Sequence, residues 1–231
     1  MYANGPKIVT DGLTLCLDAG NRKSYVGSGT SWVDIIRNGN NGTLINGPTF
    51  NSDNIGSIVF DGANDYVGLP TSSLVSGSQM TFALWNFGNN NLSSTTSVIG
   101  FQNSSGIRTL NVHLPWQSVI YFDAGNGTGN SGGVYDRINK SVTSSELLGW
   151  QYWAFTKNST AARMRIYLNG KLWHSGGGSA PIGTSVAGSL GTGLGGSTHN
   201  GRIAIAKLYS RELSESEIFQ NYNATKGRFK R

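Results

Sequence analysis

The stretch Gly56-Ser57-Ile58-Val59-Phe60-Asp61-Gly62-Ala63-Asn64-Asp65-Tyr66-Val67 limits the fold more than any other part of the chain. Its alternation puts Ile58 and Phe60 on one face of a strand. The Asp61-Gly62 step supplies a turn that tolerates positive φ, and Tyr66-Val67 opens a second strand. The stretch reads as a buried β-corner. Elsewhere the same pattern recurs, with short apolar alternations separated by turn residues. The 33 glycines and a charged fraction of only 13% suit short strands and tight turns, and argue against a helical bundle or a charged disordered chain. At 231 residues the chain can bury one substantial core. It reads as a single domain over 1–231, with 1–10 as lead-in and 226–231 as a basic tail, solvated or else an arm docking onto an acidic neighbour.

Leu13, Leu15 and Leu17 alternate with Thr14, Cys16 and Asp18, the mark of a half-buried strand. Residues 21–48 are mostly turn formers punctuated by Trp32-Val33 and Ile35-Ile36, and read as a long packed loop over a sheet edge. In residues 80–85, Phe82 and Leu84 face away from Thr81, Ala83 and Trp85, and both faces are apolar. Such a strand is covered on both sides, and Trp85 reads as packing. Residues 98–101, 107–113 and 118–122 read as successive antiparallel strands, with Trp116 in the connection at 114–117. Asn169-Gly170 marks a hairpin. Ser214 with Glu217 forms a capping box and Leu213 can staple onto Ile218, which predicts one short C-terminal helix.

These landmarks carry a family resemblance. Phe60-Asp61-Gly62 followed by Asp65-Tyr66-Val67 resembles a signature of the concanavalin A-like lectin/glucanase superfamily, in its laminin-G-like branch. Asn38-Gly39-Asn40-Asn41-Gly42-Thr43-Leu44, Met80-Thr81-Phe82-Ala83-Leu84-Trp85, Gly149-Trp150-Gln151-Tyr152-Trp153-Ala154 and Ile166-Tyr167-Leu168-Asn169-Gly170-Lys171 are similar to further motifs of that family, in order. The resemblance implies an all-β, concanavalin A-like jelly-roll sandwich of two antiparallel sheets. The wording of both ends, including Gln220-Asn221-Tyr222-Asn223-Ala224-Thr225-Lys226-Gly227-Arg228-Phe229, resembles versions common in tailed-phage virion proteins. It implies a non-enzymatic virion component, a capsid decoration or tail fibre domain, with other virion proteins as partners, a homo-oligomer left open, and adhesion to host-surface polysaccharide. The start lacks the apolar core of a signal peptide, so synthesis in the host cytoplasm and release on a virion are expected. The alternatives are a bacterial carbohydrate-binding module or glycoside hydrolase, or an exported cell-surface adhesin.

A retaining glycosidase generally needs two carboxyls about 5 Å apart. The chain has four glutamates, and three of them, Glu212, Glu215 and Glu217, fall in the terminal turn and helix. The Glu-x-Asp-x-(x)-Glu strand of the related hydrolases is absent, and Asp61 and Asp65 read as turn caps. Residues 129–133 fit a Gly-x-Ser-x-Gly pattern and 191–196 a dinucleotide pattern, both without the strand and helix those mechanisms require. His113, His174 and His199 lack zinc-ligand spacing. Asp18, Asp61 and Asp65 are the candidate ligands for the calcium held by many relatives, and no other cofactor is implied. The lone Cys16 can form no internal disulfide.

Lys226, Arg228, Lys230 and Arg231 supply four of the six net positive charges, so the body has no basic face and nucleic acid is not an expected partner. No apolar run approaches membrane-spanning length. What remains is binding. Lectin-like sites stack loop aromatics on sugar faces beside short polar groups, which makes Trp116, Tyr135 and His199, with Asn126 and Asp136, the candidate carbohydrate-binding residues.

Overall fold

The computed structural model describes residues 6–36, 38–70, 75–88, 91–126, 135–193 and 196–229. In chain order the strands begin with β1 Leu13–Asp18, β2 Ser31–Trp32, β3 Gly42–Ile45, β4 Thr49–Asn51, β5 Ser57–Asp61, β6 Tyr66–Leu69, β7 Gln79–Gly88 and β8 Thr95–Gln102. They continue with β9 Arg108–Trp116, β10 Val119–Gly125, β11 Tyr135–Ser141, β12 Trp150–Asn158, β13 Arg163–Leu168, β14 Lys171–Gly177, β15 Ala187–Leu190 and β16 Asn200–Tyr209. One helical turn, α1 (Ser144–Leu147), precedes β12, and α2 (Glu215–Thr225) follows β16.

The strands form two antiparallel sheets. The back sheet runs β14-β13-β12-β7-β16-β5-β4, and the front sheet β11-β10-β9-β8-β15-β6-β3-β2. β1 pairs with the part of β16 that β5 leaves free. The Asp61–Tyr66 corner carries the chain from the back sheet to the front one. Gly62 stands there at φ +80°, Asp61 Oδ1 accepts the Ala63 N–H at 2.7 Å, and Asp65 Oδ2 accepts the Asp61 N–H at 3.1 Å. Both aspartates are therefore turn caps, as their spacing suggests.

Strand alternation explains the core. Phe82, Leu84, Trp153 and Phe155 of the back sheet meet Phe101, Val112 and Phe122 of the front sheet, all fully buried. The Phe155 ring lies 6.1 Å from Phe82 and 5.5 Å from Phe122. Burying side chains of this size stabilises by about 1.5–3 kcal/mol each. The opposite parity of the back sheet exposes Ala83, Trp85, Tyr152 and Tyr209 to a second apolar cluster, closed by Leu213, Ile218 and Phe229. Helix α2 lies over this face because Ser214 caps it, with the Glu217 N–H donating to Ser214 Oγ and the Ser214 N–H to Glu217 Oε2 at 2.9 Å. Trp85 is a packing residue, stacked on Phe229 at 4.2 Å with its indole N–H on Thr225 Oγ1.

Four expectations need correction. Residues 21–48 contain the short strands β2 and β3, and Trp32 is wholly buried. Helix α1 adds a turn held by a Thr143/Glu146 capping box, too short to show periodicity. Residues 114–116 extend β9, and the turn is Gln117-Ser118, both at positive φ. Finally, residues 226–229 are docked. Arg228 pairs with Asp18 at 2.5 Å and donates from Nε to the Asn54 carbonyl at 2.5 Å, while Phe229 is 9% exposed. Lys230 and Arg231 lie outside the described residues.

Candidate functional site

The outer face of the front sheet carries side chains turned away from the core. In β9 and β10 the core takes Leu110, Val112, Ile120, Phe122 and Ala124. The opposite parity of the same strands turns His113, Tyr121 and Asp123 away from it, and β11 adds Tyr135 and Arg137 beside them. Register aligns Tyr121 with His113 and Asp123 with Arg137.

Asp123 is the keystone of this cluster. It is completely buried, a position that is strongly unfavourable for a carboxylate without compensating charge. Arg137 supplies a two-toothed pair, Nε to Oδ1 at 2.6 Å and Nη2 to Oδ2 at 2.7 Å, and Arg108 donates from Nη1 to Oδ2. The guanidinium of Arg137 then stands 4.8 Å from the Tyr121 ring centre and 5.4 Å from that of Tyr135, with Arg108 5.2 Å from Tyr135. Cation–π attraction and the buried carboxylate fix both guanidiniums in place.

His113 closes the other side. Its Nδ1 is 2.8 Å from Ser97 Oγ, and its ring meets Trp116 at 4.7 Å and Tyr121 at 6.0 Å, both edge-on. Burial, reinforced by the positive charge of Arg108, pulls its pKa down to about 4. The imidazole is therefore neutral at neutral pH. Together Arg108, His113, Trp116, Tyr121, Tyr135 and Arg137 surround a cavity of about 300 Å³. A second recess of about 270 Å³, with Tyr66, Gln102 and Ser189 in its walls, lies farther across the same sheet.

Of the residues singled out in the sequence, Trp116 and Tyr135 come together here. The other three do not line this cavity. His199 is 1% exposed, packed 5.7 Å from Phe60, and burial lowers its pKa to about 4. Asp136 lies on the other face of β11, where its Oδ2 accepts from Lys157 Nζ at 2.6 Å and from the Ala180 N–H at 2.8 Å. Lys157 is wholly buried and also donates to the Ala124 carbonyl, so Asp136 balances a charge that spans the sandwich. Asn126 is half-buried just past β10, with its backbone against Gly183. Arg108, His113, Tyr121 and Arg137 are new. Their signal was the outward parity of β9 and β10, whose polar and aromatic character the loop-centred reading passed over.

Asp18 is engaged by Arg228 and Asp61 and Asp65 cap the corner, and among the described residues no group of three or more His, Cys, Asp or Glu side chains comes together. Three of the four glutamates serve the scaffold. Glu212 pairs with Arg163 at 2.5 Å, Glu217 pairs with Arg211 at 2.6 Å, and Glu146 accepts from the Trp173 indole at 2.6 Å. The guanidinium of Arg211 is the main reason Glu217 falls to a pKa of about 2. The glycine motif at 129–133 lies outside the described residues, as do positions 194 and 195 of the one at 191–196.

No curated protein matches the chain in sequence. Its fold, however, recurs among solved structures. The receptor binding domain of botulinum neurotoxin D superposes with a TM-score of 0.70 at 14% identity, over 92% of this chain and 52% of that one. The binding domain of Paraclostridial Mosquitocidal Protein 1 gives 0.70 at 15% identity, over 92% and 52%. This chain thus spans about half the length of those toxin domains. Domain 4 of AbnA, a GH43 extracellular arabinanase from Geobacillus stearothermophilus solved with arabinotriose, gives 0.66 at 19% identity, over 91% of this chain and 98% of that domain. These likenesses establish a shared lectin-like jelly roll. A laminin-G family model, described as concanavalin A-like lectin/glucanases superfamily, matches residues 61–219. By that match, and by the two-sheet architecture that frames it, the chain belongs to the concanavalin A-like lectin/glucanase superfamily.

Proposed function

We propose that this domain is a non-enzymatic glycan-binding module whose site is the cavity on the outer face of the front sheet. The observation that carries this reading is the set of three half-buried aromatic rings, Trp116, Tyr121 and Tyr135, around an open cavity with guanidinium donors already fixed beside them. Sugars offer apolar C–H faces to aromatic rings and hydroxyls to nearby donors, which is the combination present here. The arabinanase domain solved with arabinotriose and the botulinum neurotoxin DC binding domain solved with SialylT support a glycan role for this type of fold. The test is a panel of polysaccharides probed with wild type and Trp116→Ala. Binding by wild type and a drop of about tenfold in the variant, with an unchanged urea midpoint, is the expected result. A Trp116→Ala protein that binds as well as wild type overturns the placement, and a silent panel overturns the glycan reading.

The setting of this module is the surface of a tailed-phage virion, where other virion proteins carry it and host-surface polysaccharide is its target. The support is the wording of the two ends of the chain, Gln220 to Phe229 above all. Fixed stoichiometry with purified particles in quantitative mass spectrometry is expected, and recovery only as free protein removes the virion.

A further inference from the structure

We infer that the cavity selects an acidic sugar, a ring bearing a carboxylate or a sulfate ester, and that Arg108 and Arg137 read the anionic group. This rests on the glycan reading above and names the ligand class for that same site.

The argument is one of charge and of donors left over. One buried carboxylate faces two guanidiniums, so the cluster keeps one net positive charge, and among the described residues no other acid lines the cavity. Asp123 is fully buried beneath the arginines, whereas the Arg137 side chain is 37% exposed and that of Arg108 17%. A ligand entering from solvent therefore meets guanidinium edges first. Three of the donors that Asp123 accepts from are spoken for, while Nε and Nη2 of Arg108 and Nη1 of Arg137 donate to nothing among the described residues.

Those donors are also pre-oriented. Asp123 holds each guanidinium by its inner edge, Tyr135 lies against both and Tyr121 against that of Arg137, so little side-chain freedom remains to be lost on binding. An oxyanion completes charge-assisted hydrogen bonds with these edges, and a neutral hydroxyl forms only the weaker kind. The aromatic rings alone would suit any sugar. The paired arginines beside them give the site its preference.

The experiment uses matched pairs that differ only in the charged group: sialyllactose against lactose, trigalacturonate against its carboxyl-reduced form, and a sulfated galactan oligosaccharide against its desulfated form. Affinities are measured by titration calorimetry at low and at high salt, with wild type, Arg137→Gln and Arg137→Lys. The expected result is that the acidic member of at least one pair binds about tenfold more tightly than its neutral partner, the size of one charge-assisted contact. High salt narrows that gap, Arg137→Gln abolishes it, and Arg137→Lys keeps part of it. Which pair shows the gap separates a carboxylate ligand from a sulfate ester. Equal affinity within every pair that binds overturns this inference and leaves the glycan reading standing, whereas no binding to any member overturns both. If Arg137→Gln does not fold, the wild-type pairs, the salt series and Arg137→Lys still decide the matter.

Discussion

Acidification should destabilise this domain well above the carboxylate range, because two of its three histidines are buried as neutral rings. His113 is 5% exposed and His199 1%, and burial holds each at a pKa of about 4 against an ordinary 6.5. In the unfolded chain both return to the ordinary value, so between those limits the unfolded state binds more protons than the folded one. The histidine contribution is thus complete above about pH 6.5 and is lost as pH falls toward 4. Linkage with these pKa values gives about 2 kcal/mol per histidine by pH 5, or about 4 kcal/mol for the pair. That is a large share of a typical stability of about 5–15 kcal/mol. Asp34 and Asp65, pushed upward by burial, act in the opposite direction and blunt only the lower end of the window. Urea unfolding followed by tryptophan fluorescence at pH 7.5 and pH 5.0 measures the loss. His199→Phe, which replaces the titrating ring with a neutral one, should halve it. A wild-type midpoint that does not move between the two pH values refutes the reasoning, as does an NMR titration placing the His199 ring near 6.5.

Further outcomes concern packing. A Cβ at Gly188 would lie 2.3 Å from the buried ring of Phe101, so Gly188→Ala should lower stability by about 1–3 kcal/mol and reduce the melting temperature. Phe229→Ala removes a ring stacked on Trp85 at 4.2 Å and close to Trp150 at 4.9 Å, and should cost about 3 kcal/mol in urea unfolding; a neutral result would mean the terminus is not docked. Lys207 is 2% exposed and its ammonium has no hydrogen-bond partner among the described residues, with burial pulling its pKa down. Lys207→Met should therefore raise the urea midpoint, and a fall would show that the ammonium is satisfied after all.

Much of the fold was legible because period-two alternation survives wherever a strand has one face on the core. Phe82 against Trp85, or Ile58 with Phe60, assign the face from residue type alone. The corner at Asp61-Gly62 and the Ser214/Glu217 cap were legible because each needs particular residues for its backbone geometry. β2 and β3 were not, since two to four residues carry no period, and Trp32 owes its burial to the fold around it. The docking of Arg228 joins positions 210 residues apart, which no local pattern encodes. Of the six residues that line the candidate cavity, two were legible. Trp116 and Tyr135 stand out in turn-rich surroundings, but the loop rule that found them also chose His199, which the core claims. Arg108 and Arg137 escaped because an outward arginine on a strand looks like ordinary surface until its cross-strand neighbour proves to be a buried aspartate.

Both ends of the described chain are stitched to the back sheet and its covering helix. The Val9 N–H donates to Asn221 Oδ1 at 2.8 Å, the Lys7 carbonyl accepts from Gln220 at 2.8 Å, and Arg228 reaches Asp18. The cavity opens on the other layer. Anything grafted through residue 7 or residue 229, whether a sensor chip, a dye or another polypeptide, is consequently carried behind the domain. A lawn of these modules anchored by either end would present every aromatic mouth outward, with no need to engineer orientation.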